Sequence, residues 1–435
     1  MRRATVGGLC GLVVVASVLA VAVAAQPNSN HMGARPDPAM FKPPVEVWAN
    51  RTWTEAAADQ AVSSFISGPR AAGKVTHQLS SRSVLDRATG DVFFLRYSAS
   101  PTREYVFIAS PSGKVISTAS ISPAIPLSCA PEILLTSPLI VHCTYGKGYV
   151  YAIARGAVKW KRAILSDSSD RVYAHMPDGN MVSLLVIPST APSGLARVEE
   201  YTIRTNDGTV VSALQKPITV VPTNAGGGLV ATPVPQAAWI LASNAWAQRP
   251  QCYEIAKLDN ALHVVWKQRF SGNCGGSDIP PPSATPSRVY VVFSGDSSER
   301  LLFLDLRTGH TVWSTTIVTG VQYGYIYPPI VGAGAHCLYL AGFGDGSFVG
   351  EEPGPSAKVY AYLASISQRT GAIAWKARML TEIQQNGGSQ WELYSPTEAT
   401  CAGGSVEVFD PESVGSRLAS YPLAVIIRAW LPNAP

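Results

Sequence analysis

The chain has 435 residues, of which only 14% are charged, with a formal net charge of +5, 37 glycines and 33 prolines. No basic run exceeds Lys159-Trp160-Lys161-Arg162, so the sequence gives no electrostatic footprint for nucleic acid. Abundant Gly and Pro with few charges fit many short strands joined by turns.

In chain order, residues 1–25 carry two arginines, an apolar core and small residues, the pattern of a secretory signal peptide. This predicts a secreted or lumenal (extracytoplasmic) protein, and no later segment is apolar enough to span a bilayer. Residues 26–44 read as a flexible arm and 45–435 as the folded domain. Within it, residues 43–53 (PPVEVWANRTW) are a candidate strand that pairs with the C-terminal LAVIIRAW. Thr52 and Glu55 have capping-box spacing before AAADQAVSSFI, which predicts one short helix. Asn50-Arg51-Thr52 is a glycosylation sequon.

From about residue 75 onward one pattern recurs. Its best copy, residues 285–313, reads strand, Gly/Asp turn, strand, Thr308-Gly309 turn and then Trp313 opening another strand. Thr370-Gly371 precedes Trp375 with the same spacing, as Gly156 precedes Trp160; before Trp266 the turn glycine is replaced by Leu262. X-Pro pairs precede several copies: Ser137-Pro138, Thr232-Pro233, Thr285-Pro286, Tyr327-Pro328 and Ser395-Pro396. Proline at a strand's first position sacrifices no ladder hydrogen bond, which predicts strand starts there. A period of roughly 40 to 60 residues without helical periodicity suits a four-stranded propeller blade and excludes ankyrin, TPR and HEAT arrays.

The stretch LDLRTGHTVW resembles the blade signature of PQQ-like (quinoprotein-type) β-propeller repeats at Asp305, Thr308, Gly309 and Trp313. In the next copy Thr370, Gly371 and Trp375 match, while Ser367 stands where the aspartate would be. The resemblance implies a structural, blade-docking role for Trp160, Trp266, Trp313 and Trp375 and for the turn glycines Gly309 and Gly371. The predicted fold is therefore all-β: a single closed β-propeller of seven blades, with six or eight as alternatives, each a four-stranded antiparallel sheet. The blades are placed at 78–118, 122–164, 166–219, 230–270, 284–317, 328–379 and 395–435, the third and seventh lacking the Trp-Gly pair.

Without Cys10 of the leader, six cysteines remain, an even number for an oxidising compartment. Cys252 and Cys274 are the leading disulfide candidate. Cys129–Cys143 and Cys337–Cys401 stand against a second possibility, buried free thiols.

The resemblance raises a PQQ-dependent dehydrogenase, but the adjacent cysteines and C-x-x-C-H haem site found among such enzymes are absent from this sequence. Neither PQQ nor calcium is expected as cofactor. The strongest calcium candidate is the loop holding Asp345, Ser347, Glu351 and Glu352, whose spacing is not that of an EF-hand. The seven histidines are scattered. Strand alternation sends His142 and Cys143 to opposite faces, so they are not a shared ligand pair. No catalytic or metal residue is assigned. Aromatics beside loop glycines, Tyr325, Trp391 and Trp246, are candidate partner-binding residues. The expected function is a monomeric, non-catalytic binding or scaffold module for a protein or glycan. The alternative is an extracellular propeller enzyme, quinoprotein-type or working on glycosides through carboxylates in its channel.

Overall fold

The computed structural model describes residues 51–54, 77–79, 84–86, 91–99, 102–109, 115–120, 131–143, 148–154, 157–164, 170–223, 228–235, 238–244, 253–271, 280–294, 298–319, 324–326, 329–331, 338–344, 347–348, 360–379, 398–402, 405–410 and 422–430. The segment expected to be helical, Asn50, and every cysteine except Cys143 and Cys401 lie outside the described residues. Among the described residues all regular structure is strand, so no helix there could cross a membrane.

The strands form seven antiparallel sheets, which we number in chain order by span: sheet 1, 77–120; sheet 2, 131–163; sheet 3, 170–219; sheet 4, 229–270; sheet 5, 283–319; sheet 6, 324–379; and sheet 7, 398–430. Each span overlaps one of the segments expected from the repeat, but Ser347–Phe348, from within the sixth segment, pairs into sheet 5. In sheets 2 to 5 the sheet order follows the chain, each strand returning beside its predecessor. Sheet 7 differs. Its outermost strand is Arg51–Thr54, paired antiparallel to Pro422–Trp430 with Arg51 opposite Ile426. The expected partnership between the 43–53 segment and the C-terminal strand is thus present, over its last three residues.

Sheet 3 shows why these sequences make strands. Met181–Pro188 (MVSLLVIP) is buried along nearly its whole length, as a central strand covered on both faces must be. Even-numbered residues Val182, Leu184 and Val186 join the core toward sheet 2, whereas Leu185 and Ile187 join the core toward sheet 4. The two-residue period of a strand lets one segment belong to both interfaces. Sheets 1 to 6 therefore share cores face to face with their neighbours, and the first strands lie next to one another along the series. This is the building plan of a β-propeller.

The proline expectation needs correction. Pro138 follows a cis peptide bond and lies in the turn between the first two strands of sheet 2, and Pro286 lies in the matching turn of sheet 5. There Thr285 and Arg288 exchange backbone hydrogen bonds around the Pro286-Ser287 tip. Pro233 sits inside the first strand of sheet 4, Leu229–Val234, at a sheet edge where a missing N–H is tolerated. Among the described pairs, Pro138 and Pro286 thus precede the second strand of a sheet and not its first, while Pro328 and Pro396 lie outside the described residues.

Candidate functional site

Two groups of residues could carry function: the joints between sheets, which the repeat predicts, and a polar cluster on the first strands, which it does not.

At the joints, the tryptophan on the fourth strand of one sheet lands on the turn of the next sheet. A Cβ on Gly309 would come within 2.7 Å of the Trp266 ring, one on Gly371 within 2.5 Å of Trp313, and one on Gly208 within 2.6 Å of Trp160. All three glycines have positive φ, +74°, +73° and +70°. Glycine is thus required twice over, for the backbone conformation and for the ring lying against it. Each indole N–H donates to the carbonyl three residues before that glycine. The distances are 2.8 Å from Trp266 to Leu306, 3.2 Å from Trp313 to Gln368 and 2.9 Å from Trp160 to Thr205. Arg162 adds donors to the carbonyls of Gly208 and Asp207.

The turn itself is built locally. Asp305 Oδ1 accepts from the Thr308 backbone N–H at 2.8 Å and from its hydroxyl at 2.7 Å. The Thr308 hydroxyl, then its N–H, lower the pKa of Asp305 by favouring the carboxylate. Ser367 does the same work weakly, accepting from Thr370 N–H at 3.3 Å.

This sharpens one expectation and corrects another. The four-residue spacing left open which glycine a docking tryptophan meets, and in the structure it is the glycine one repeat further on. Sheet 3 also does have its turn glycine, Gly208. What sheet 3 lacks is the tryptophan: Ser212 stands four residues after Gly208. At the turn of sheet 4 that would have received a ring, Leu262 adopts φ +59°, the one non-glycine with positive φ among the described residues. Leu262 is buried in the core shared by sheets 3 and 4, against which Leu214 also packs. A side chain of the receiving sheet occupies the joint where the neighbour supplies none.

Trp375 lies in the strand Ile373–Met379, opposite Ser365, and Tyr325 lies in Gly324–Ile326, opposite Phe343. Ser347 of the calcium candidate pairs with Thr319, so Ser347–Phe348 forms a fifth strand on sheet 5. Asp345, Glu351, Glu352, Trp246, Trp391, Cys252 and Cys274 lie outside the described residues.

The polar cluster was not anticipated. Glu132 on the first strand of sheet 2 stands opposite His142 on the second, and Arg171 and Tyr173 stand on the first strand of sheet 3. Burial raises the Tyr173 pKa, opposed by the Arg171 charge, an N–H from Ala231 of sheet 4 and a hydrogen bond from Arg171; the Glu132 charge adds to the rise. His142 is fully buried, neither ring nitrogen has a partner among the described residues, and burial pulls its pKa down to about 4. The only sequence signal was charge at the start of an otherwise apolar strand, a pattern shared with many surface-facing ends.

Other buried acids are held inside the structure. Glu200 accepts from the Ser183 hydroxyl and, at 2.8 Å, from Trp239 Nε1 of sheet 4. Glu199 accepts from Tyr201 at 2.7 Å and from Gln215. Glu254 pairs with Lys267 at 3.1 Å and Arg269 at 2.8 Å. Among the described residues no three His, Cys, Asp or Glu side chains come together as a metal site.

No protein-family profile matches the chain, and no curated protein matches it. Among solved structures it is similar to the Dos1 propeller, at 11% identity over 82% of this chain and 84% of that one, with a TM-score of 0.39. It is also similar to the uncomplexed acylaminoacyl peptidase of Pyrococcus horikoshii, at 8% identity and a TM-score of 0.41. That alignment covers 82% of this chain and 53% of the peptidase.

Proposed function

We propose that the chain is an exported, closed, seven-bladed propeller of PQQ-like type that serves as a non-catalytic binding or scaffold module for a protein or glycan partner. The observation that carries this is the use of the buried acids. Glu199, Glu200 and Glu254 are each bonded within a sheet or across to the next one. Chemistry of that kind reinforces a frame. Closure is supported by the pairing of Arg51–Thr54 with Pro422–Trp430, which joins the two ends of the folded domain in one sheet. Export is read from residues 1–25 and fits the even number of cysteines that remains without Cys10.

One observation favours the enzymatic alternative. Glu132 and Asp170 lie on the first strands of neighbouring sheets, beside Arg171 and Tyr173, where a propeller's channel would run. Turnover assays decide between the two. Purified protein with PQQ and calcium, offered alcohols and sugars with a reducible dye, and separately offered chromogenic glycosides, is expected to show no turnover. Glycoside hydrolysis that disappears in Glu132→Gln and Asp170→Asn would overturn the scaffold reading.

A further inference from the structure

The fourth strand of each sheet is a free edge unless something covers or guards it, because its outward N–H and C=O groups have no partner strand. The edges here are treated differently from one another. The fourth strand of sheet 2, Ala157–Ala163, carries Lys159, Lys161 and Arg162; that of sheet 4, Val264–Phe270, carries Lys267 and Arg269; that of sheet 6 carries Lys376 and Arg378. In sheet 5, Thr311–Thr319 is capped at its end by the chain's own Ser347–Phe348. Val115–Ser120 of sheet 1 is uncharged but spans only six residues, three of them hydroxyl-bearing.

Val210–Thr219 of sheet 3 is the exception. It is ten residues long, ends its sheet, and over residues 210–214 reads Val-Val-Ser-Ala-Leu with no charge and no proline. Its guards, Lys216 and Pro217, come only in the second half. Val210 and Val211 are 40% and 51% exposed, and Ser212 and Ala213 are exposed beside them. Like the shorter fourth strand of sheet 1, this strand carries no tryptophan.

We propose that the 210–216 edge of sheet 3 binds an extended segment of a partner protein by strand addition, as an extra fifth strand. Sheet 5 shows that a fourth strand in this fold accepts a fifth, through Val318–Phe348 and Thr319–Ser347 pairing. Backbone hydrogen bonds hold such a segment, and alternate side chains select it. Val211 and Ala213 ask for apolar residues across from them. Lys216 makes no ion pair among the described residues, so it asks for a carboxylate. The partner segment is thus extended and apolar at alternate positions, with an acidic residue at the end that antiparallel pairing sets opposite Lys216.

The proposal rests on the reading of the chain as a binding module, and its test is separate from the turnover assays. The probe is a synthetic ten-residue peptide of alternating valine and threonine with glutamate near its N-terminus, followed by fluorescence anisotropy on the full chain. Binding is expected, with at least about tenfold loss when alternate peptide nitrogens are methylated. A similar loss is expected in Val211→Lys/Ala213→Lys, and none in Val264→Lys/Val265→Lys on sheet 4. Lys216→Glu should reverse the preference between glutamate- and lysine-bearing peptides. Unchanged thermal unfolding of each variant shows that the frame is intact. No measurable binding, equal binding of the methylated peptide, or equal effects of the two valine pairs would overturn the proposal. Self-association abolished by Val211→Lys/Ala213→Lys would reassign the edge to a second copy and overturn it too. Either result leaves the module reading to stand or fall on turnover.

Discussion

The joint between sheets 4 and 5 and the joint between sheets 3 and 4 solve one packing problem in opposite ways. In the first, sheet 4 sends out Trp266 and sheet 5 receives it on Gly309, with no room for a Cβ. In the second, sheet 3 offers Ser212 and sheet 4 answers with Leu262, a residue that ordinarily avoids φ +59°. Left-handed backbone costs an L-residue about 1–2 kcal/mol. Burying a leucine contributes about 1.5–3 kcal/mol, enough to offset that cost. The glycine is therefore not a requirement of the turn alone. It is a requirement of the ring that lands there.

The largest expected effect comes from removing a ring. Trp266→Ala should destabilise by about 3 kcal/mol, short of the upper range for buried aromatics because the ring is half-exposed, measured as a shift in urea midpoint. Gly309→Ala should follow, at about 2–3 kcal/mol, combining left-handed strain with displacement of the Trp266 ring. At the other joint the sign of intuition reverses. Leu262→Gly relieves strain yet should still destabilise, by about 1–2 kcal/mol, because the lost burial outweighs it. Equal or greater stability of Leu262→Gly would show that Leu262 is tolerated and not used.

A smaller, pH-dependent effect separates the joints from the polar cores beside them. His142 and His175 both have folded-state pKa values lowered to about 4 by burial, below the ordinary 6.5. The unfolded chain therefore binds more protons between those values, and stability rises with pH there. Their contribution is fully present above about pH 6.5 and is lost as pH falls through 4. Thermal unfolding of His142→Leu should depend less on pH between 6.5 and 4 than that of the parent. An unchanged slope would remove His142 from the account. The T-shaped contact of His175 with Trp239, at 4.8 Å, places the second titrating group at the joint between sheets 3 and 4, which receives no fourth-strand tryptophan.

Much of the frame was legible in the sequence because its signals are local. Thr308-Gly309 and Thr370-Gly371 announce a turn, β-branched runs such as RVYVVF announce strands, and repetition sets the spans of the sheets. The partner of each tryptophan was not legible, because it lies 40 to 55 residues away, one repeat on. Within one repeat the sequence shows only that Trp313 follows Gly309 by four residues; packing sets Trp266 on Gly309. Leu262 looked like a decayed glycine for the same reason. Its role depends on what residue 212 fails to send. The polar cluster stayed hidden because Glu132, His142, Arg171 and Tyr173 converge only through strand register and the adjacency of two sheets.

The central claim is that tryptophan and glycine act as one unit across the three joints that hold both. A double-mutant cycle on Trp266→Ala and Gly309→Ala in urea tests it most directly. The account predicts that Gly309→Ala costs at least about 1 kcal/mol less once the Trp266 ring is gone, since only backbone strain then remains. Additive losses, with Gly309→Ala costing the same in both backgrounds, would contradict it.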